Sequence, residues 1–341
     1  MRNKFFKKQK RIFKKLKKKK KIIKITKKQR NKIILKIILI LFLILIIYFS
    51  GFIFSFFYKN EEYIMDLKDL KHKFKVIYNF EEKITLVSAY FNVKSKFSHE
   101  DYLNWINNFL QINTAMIFFT DKKNLKELIN KRPKEYLNKT IWITLNLNDF
   151  YSYKKYLKEF NKTYTQDIEQ SFHSVPLYLL WAEKINFLKI ATTKNFFNSK
   201  CLYWVDAGCF RDSSKIKKYV NNWPSIEKCY EDGRIIINEI VQHIPQLKEA
   251  LKNFDKEISN NFQRTRNVDT SIFGGQKNYI FKFYDLYYDV LNKFIKHGIF
   301  IGKEKIIFTY IAYLYNNIVK LVYSGYYFHF QDYLSQDYNK K

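Results

Sequence analysis

The chain has 341 residues, 47% of them hydrophobic and 19% aromatic, enough apolar matter to bury one large core or two small ones, which excludes a disordered polymer. Its net charge of +31 invites a nucleic-acid reading, but 19 of the 62 Lys and Arg lie between Arg2 and Lys36, where there is no acid, leaving 43 bases against 31 acids elsewhere. With only 8 Gly and 4 Pro among abundant Lys, Asn, Ile, Phe and Tyr, the composition is biased throughout, so the propensities of Lys and Asn carry little weight.

The basic tail, residues 1–36, runs into IILILFLILIIYFSGFIFSFFY, residues 37–58, which hold no charge. Twenty-two residues make a helix of roughly 33 Å, enough to cross a hydrocarbon core, and the segment is apolar all round. It is too long for a cleaved leader and has no small-residue cleavage site. Twelve Lys and Arg in the 22 residues before it, against five with four acids in the 22 after it, predict a cytoplasmic amino terminus. The expected arrangement is a single-pass type II membrane protein, its tail against acidic lipid headgroups and its remaining residues in a lumen. NKT at Asn138 and at Asn161 are glycosylation acceptor patterns that fit a secretory compartment. Cys201, Cys209 and Cys229 allow one disulfide, and spacing does not say which.

Residues 59–82 are polar, without a strong period, and read as a stem. KITLVSAYFNV, residues 83–93, then predicts a strand. SHEDYLNWINNFLQ predicts a helix opened by a capping box of Ser98 and Asp101, with Leu103, Ile106 and Leu110 on one face. AMIFFTD gives a second strand ending at Asp121, and IWITLNL, 141–147, a third. A helical stretch through VPLYLLWAEKINFLKIATT follows, with Leu180, Trp181, Ile185 and Leu188 on one face, then the strand CLYWVD, 201–206. SIFGG, 271–275, precedes two helical stretches, YIFKFYDLYYDVLNKFIKHG and GKEKIIFTYIAYLYNN. Strands alternating with helices predict one α/β domain over residues 83–341 with a mixed, mainly parallel sheet.

In such sheets ligands bind beyond the carboxyl ends of strands, where Asp121 and Asp206 stand. Ala207 and Gly208 after Asp206 leave room for phosphates and a bridging cation, and Arg211 could add a planar donor. An Asp at a strand end also caps turns and helices, and that alternative stays open for both acids.

Taken together, ITLVSAYFNV, SHEDYLNWINNFLQI, MIFFTD, HSVPLYLLWAEKINFL and NFFNSKCLYWVDAGCFR resemble the WlaTC/HtrL family, assigned as glycosyltransferases, over roughly residues 84–315. The resemblance implies a nucleotide-sugar transferase fold of the GT-A type. It places Ala89, Tyr90 and Phe91 where the nucleotide enters, Asp121 beside the base, and Asp206 as the first acid of an Asp-x-Asp element that holds Mn²⁺ or Mg²⁺. Gly208 stands where the second acid would be, which weakens the case for a tightly held cation. SIFGG resembles an acceptor-side loop in which Gly274 and Gly275 let backbone approach the donor sugar; the alternative is a simple turn. Glu304, after Gly302 and Lys303, is a candidate base, although an acid in a first helical turn is favoured by the dipole in any case. His329 is a candidate cation ligand, while His173 fits a helix start. Trp181 and Lys184 match the family's helix before the Asp206 strand, Trp181 as a core residue.

The expected function is sugar transfer from a nucleotide-sugar donor to a glycan, glycoprotein or glycolipid acceptor in the Golgi or endoplasmic reticulum. The alternative is a membrane-anchored protein that binds the same ligands without turnover, motivated by Gly208. A nucleic-acid partner is not expected, because the basic excess adjoins the membrane segment.

Overall fold

A computed structural model describes residues 36, 38, 39, 41, 42, 64–67, 81–221, 223–241, 251, 252, 267–325 and 327–335. The chain divides into Met1–Lys59 and Asn60–Lys341. Of the predicted membrane segment, Ile38, Leu39, Leu41 and Phe42 are described, helical and exposed, and the rest lies outside the described residues. Among the described residues no helix is long and apolar enough to cross a membrane.

The described residues of Asn60–Lys341 form eight strands, β1 (Ile64–Asp66), β2 (Ile84–Tyr90), β3 (Ala115–Thr120), β4 (Thr140–Thr144), β5 (Cys201–Val205), β6 (Ile235–Glu239), β7 (Val268–Gln276) and β8 (Val319–Tyr323). They form one sheet in the order β1-β4-β3-β2-β5-β7-β6-β8. Every neighbouring pair is parallel except the two made by β7, which runs antiparallel to both β5 and β6. The mixed, mainly parallel α/β sheet expected from the alternation of elements is present.

Strands β2 to β6 are buried at every position, because helices cover both faces. Val87 and Ala89 of β2 join one core, with Phe187 and Phe273, while Leu86 and Tyr90 join the other, with Ile106 and Phe118. The second core is closed by α1 (His99–Phe109), whose Ser98–Asp101 capping box is formed as predicted, and α2 (Lys122–Lys131). The first is closed by α3 (Tyr151–Thr163), α4 (Val175–Lys194), α5 (Lys277–Lys296) and α6 (Glu304–Leu314). Phe150 at the start of α3 makes no side-chain cap. The buried Glu183 of α4 substitutes, accepting from the backbone N–H of Tyr151 at 3.0 Å and Ser152 at 2.8 Å.

Three features differ from the sequence reading. β1 lies in the stretch read as a stem and pairs with β4 at the sheet edge. β6 and β8 went unpredicted. SIFGG is neither an acceptor-side loop nor a turn but part of β7. Its glycines answer to strand packing: a Cβ on Gly274 would meet Leu202 O at 2.3 Å, and one on Gly275 would meet Arg234 O at 2.4 Å. The disulfide joins Cys201 to Cys229, leaving Cys209 buried as a thiol.

Candidate active site

From β2 the chain moves through β3 to β4 on one side, while β5 pairs on the other, so a switch point lies at the carboxyl ends of β2 and β5. A cavity of about 550 Å³ opens there. Such a crevice is where parallel α/β sheets bind ligands. Of the residues singled out in sequence, Ala89, Tyr90 and Phe91 at the end of β2, and Asp206 and Arg211 after β5, all line it.

Asp206 occupies the cavity floor with a third of its side chain exposed. Its Oδ1 accepts from Trp204 Nε1 at 2.6 Å and lies 2.9 Å from Lys184 Nζ, which is 3.0 Å from Oδ2. Lys184, 4% exposed on α4, also donates to Glu304 Oε1 at 2.8 Å, and Thr270 Oγ1 donates to the same oxygen at 2.9 Å. One ammonium thus joins two carboxylates brought from different elements. Desolvation pushes the Asp206 carboxyl up to about 6 against the pull of Lys184, and water in the open third of the side chain limits that push. Burial would lower Lys184, but Asp206 and Glu304 together hold it above its ordinary value.

Asp269, at the start of β7, also lines the cavity and accepts from the Ser271 backbone N–H at 2.9 Å. Burial raises it as well. Arg211 has its guanidinium carbon 4.6 Å from the Phe97 ring centroid and 4.2 Å from that of Trp105, and donates from Nε to Gly208 O at 3.2 Å. The two rings, edge to face at 81°, both contact the guanidinium. Lys96 and Lys305 supply further cations along the wall.

The remaining candidates stand elsewhere. Asp121 caps α2, accepting from Asn124 N at 2.8 Å and Asn124 Nδ2 at 2.9 Å, and is not on the cavity wall. Glu304 sits behind Lys184, 6% exposed, and does not reach the cavity. Gly274 and Gly275 are buried in the sheet. His329 lies on the short helix Tyr327–Tyr333, exposed, with Nδ1 3.0 Å from Ser324 O, outside the cavity. Trp181, expected in the core, is only partly buried and forms part of the wall. Sequence reasoning gave Lys184 no role and passed over Asp269. A charged residue inside the apolar run LYLLWAEKINFL was the available signal for Lys184, since a buried ammonium needs a partner.

A carboxylate that holds Mn²⁺ or Mg²⁺ needs free oxygens and company. At Asp206 both oxygens already face an ammonium, and a Cβ on Gly208 would sit 3.0 Å from Tyr102 Cε1 and 3.1 Å from Trp105 Cε3. With the Lys184 ammonium in place, Asp206 does not fit a divalent cation, and among the described residues Asp269 is the one other carboxylate on that wall. A second group, Asp167, Glu169 and His173, brings ligand atoms within 4.8 Å of one another and could hold a metal. His173 Nδ1 lies 2.7 Å from Asp167 Oδ2, Tyr178 also donates to that oxygen, and Lys303 Nζ is 3.3 Å from Asp167 Oδ1. Burial would raise Asp167, but these hydrogen bonds and the Lys303 charge hold it well below the usual carboxylate range.

No protein-family model matches the chain, and no curated protein matches it in sequence. Among solved structures, it is similar to the core-mannan synthase A of Aspergillus fumigatus in its Mn/GDP form. The identity is 12%, the TM-score 0.42, and the match covers 70% of this chain and 72% of that one. No residue role is transferred from that structure.

Proposed function

We propose that the chain is a membrane-anchored glycosyltransferase that moves a sugar from a nucleotide-sugar donor to a glycan, glycoprotein or glycolipid acceptor. The observation that carries this reading is the convergence of Asp206, Lys184, Arg211 and the aromatic ends of β2 on one cavity at the switch point. The resemblance to the WlaTC/HtrL family supports it through the same stretches of sequence.

Tyr90 and Phe91 would wall the nucleotide, and Arg211 would bind the diphosphate through its fork. The acceptor hydroxyl oxygen bonds to the anomeric carbon. The bond from that carbon to the diphosphate oxygen breaks, and the nucleoside diphosphate leaves with the electron pair. Asp206 takes the hydroxyl proton, a role suited to a carboxylate whose pKa approaches neutrality. Glu304 acts as a positioning residue that holds Lys184 against Asp206. A divalent cation such as Mn²⁺ or Mg²⁺ would meet oxygen and imidazole donors at Asp167, Glu169 and His173 only by displacing Lys303. No step above uses it.

Residues 1–36 would form the cytoplasmic tail on acidic lipid headgroups, 37–58 the span, 59–82 the stem and 83–341 the luminal domain, in the Golgi or endoplasmic reticulum. Exposed Asn138 and Asn161 and the Cys201–Cys229 disulfide support an oxidising, glycosylating compartment.

The test is release of nucleoside diphosphate by the full chain in detergent from a panel of nucleotide sugars with glycan acceptors. Turnover of one donor class is expected, reduced by roughly 10²- to 10⁴-fold in Asp206→Asn. Donor binding with no turnover would favour the second reading, a binding protein without catalysis, motivated by Gly208 where a second acid would stand.

A further inference from the structure

Resting on the proposed donor, we infer that the cavity neutralises a diphosphate with the chain's own cations, the Lys184 ammonium standing at Asp206 where a divalent metal ion would otherwise bridge carboxylate and phosphate. Lys184 Nζ lies 2.9 Å from one Asp206 oxygen and 3.0 Å from the other, so both carboxylate oxygens face the ammonium. It is anchored from behind by Glu304 at 2.8 Å. An incoming Mn²⁺ or Mg²⁺ would have to expel a buried, doubly paired ammonium, and the chain has no acid at position 208 to repay it.

The charge balance of the wall agrees. Lys96, Lys184, Arg211 and Lys305 line the cavity against Asp206 and Asp269, four cations to two carboxylates, with Glu304 a third behind Lys184. The excess is positive, as a polyanionic ligand requires. Arg211 rests against both Phe97 and Trp105, two rings set edge to face with centroids 4.9 Å apart, and these contacts restrict its side chain and lower the entropy lost on binding phosphate oxygens.

The experiment is calorimetry of the full chain in detergent with inorganic pyrophosphate and with nucleotide sugars, each in EDTA and in Mn²⁺. The expected result is pyrophosphate binding in EDTA, changed less than about threefold by Mn²⁺ and weakened about tenfold by Arg211→Ala. Lys184→Met should convert the site: with the ammonium gone, Asp206 and Glu304 become available, and binding should acquire a dependence on Mn²⁺. Because that variant removes a buried charge and can fail to fold, Mn²⁺ binding to the wild-type chain is also followed by its paramagnetic resonance signal, which is expected to show no ion that Asp206→Asn releases. Donor binding that requires Mn²⁺, or a bound ion lost in Asp206→Asn, overturns the inference and leaves sugar transfer standing. Pyrophosphate binding in EDTA without binding of any nucleotide sugar does the reverse. No binding of either ligand under either condition overturns both.

Discussion

Asp206 is held between burial, which favours its neutral form, and Lys184, which favours its charge. A proton acceptor must be ionised, so kcat/KM should fall as pH drops through about 6, the position to which Asp206 is raised, and Asp206→Asn should lose that limb together with most of the activity. An acid limb unchanged in the variant would assign it to another group. Stability runs the opposite way: the native state holds this proton more tightly than an unfolded carboxyl near 3.8, so Asp206 costs stability as pH rises from there to about 6. Asp206 was legible in sequence because a strand ended on an acid followed by small residues. The Lys184–Glu304 bond was not, since 120 residues separate the partners and only the packing of α4 against α6 joins them. Asp121 shows the converse: the same strand-end signal, answered by a helix cap.

At the scale of elements, β7 is the strand on which the site depends, because it runs back between β5 and β6 and delivers Asp269 and Thr270 to the carboxyl end of β5. It fits there only because Gly274 has no Cβ, the nearest backbone atom being 2.3 Å from where one would lie. Gly274→Ala should therefore destabilise the domain by about 1–3 kcal/mol, read as a lower denaturant midpoint at unchanged slope. A variant as stable as wild type would mean that the strands separate at little cost. The long periodic elements and apolar strands, α1, α4, α5, β2, β3 and β5, were visible as patterns. β6 and β8 were not, and SIFGG was misread, because two adjacent glycines mark a turn and a tight strand contact equally well.

For the whole molecule, the Cys201–Cys229 bond ties the start of β5 to the short helix Ile226–Tyr230 across 28 residues. Closing a loop of that length in the unfolded chain is worth about 3.6 kcal/mol. The double variant Cys201→Ser/Cys229→Ser should melt several degrees below wild type, and thiol reductant should lower the wild-type melting temperature but leave the double variant unmoved. Equal melting would show that the bond adds nothing to the fold. Three cysteines in one window allowed a disulfide or buried thiols alike, and only the fold brings Cys201 and Cys229 to bonding distance. The switch point itself was also hidden, since strand order follows from how helices distribute over the two faces and no local pattern encodes that.

If a nucleotide-sugar binds where β2 and β5 end, amide hydrogen exchange of the full chain with and without a saturating donor will locate it there. Ligand burial slows exchange where backbone is covered or held still. Protection is expected to concentrate in residues 89–97 and 204–211, with little change in 122–131 and 327–333. Protection centred on those latter segments, or a bound donor that protects neither strand end, would contradict this placement.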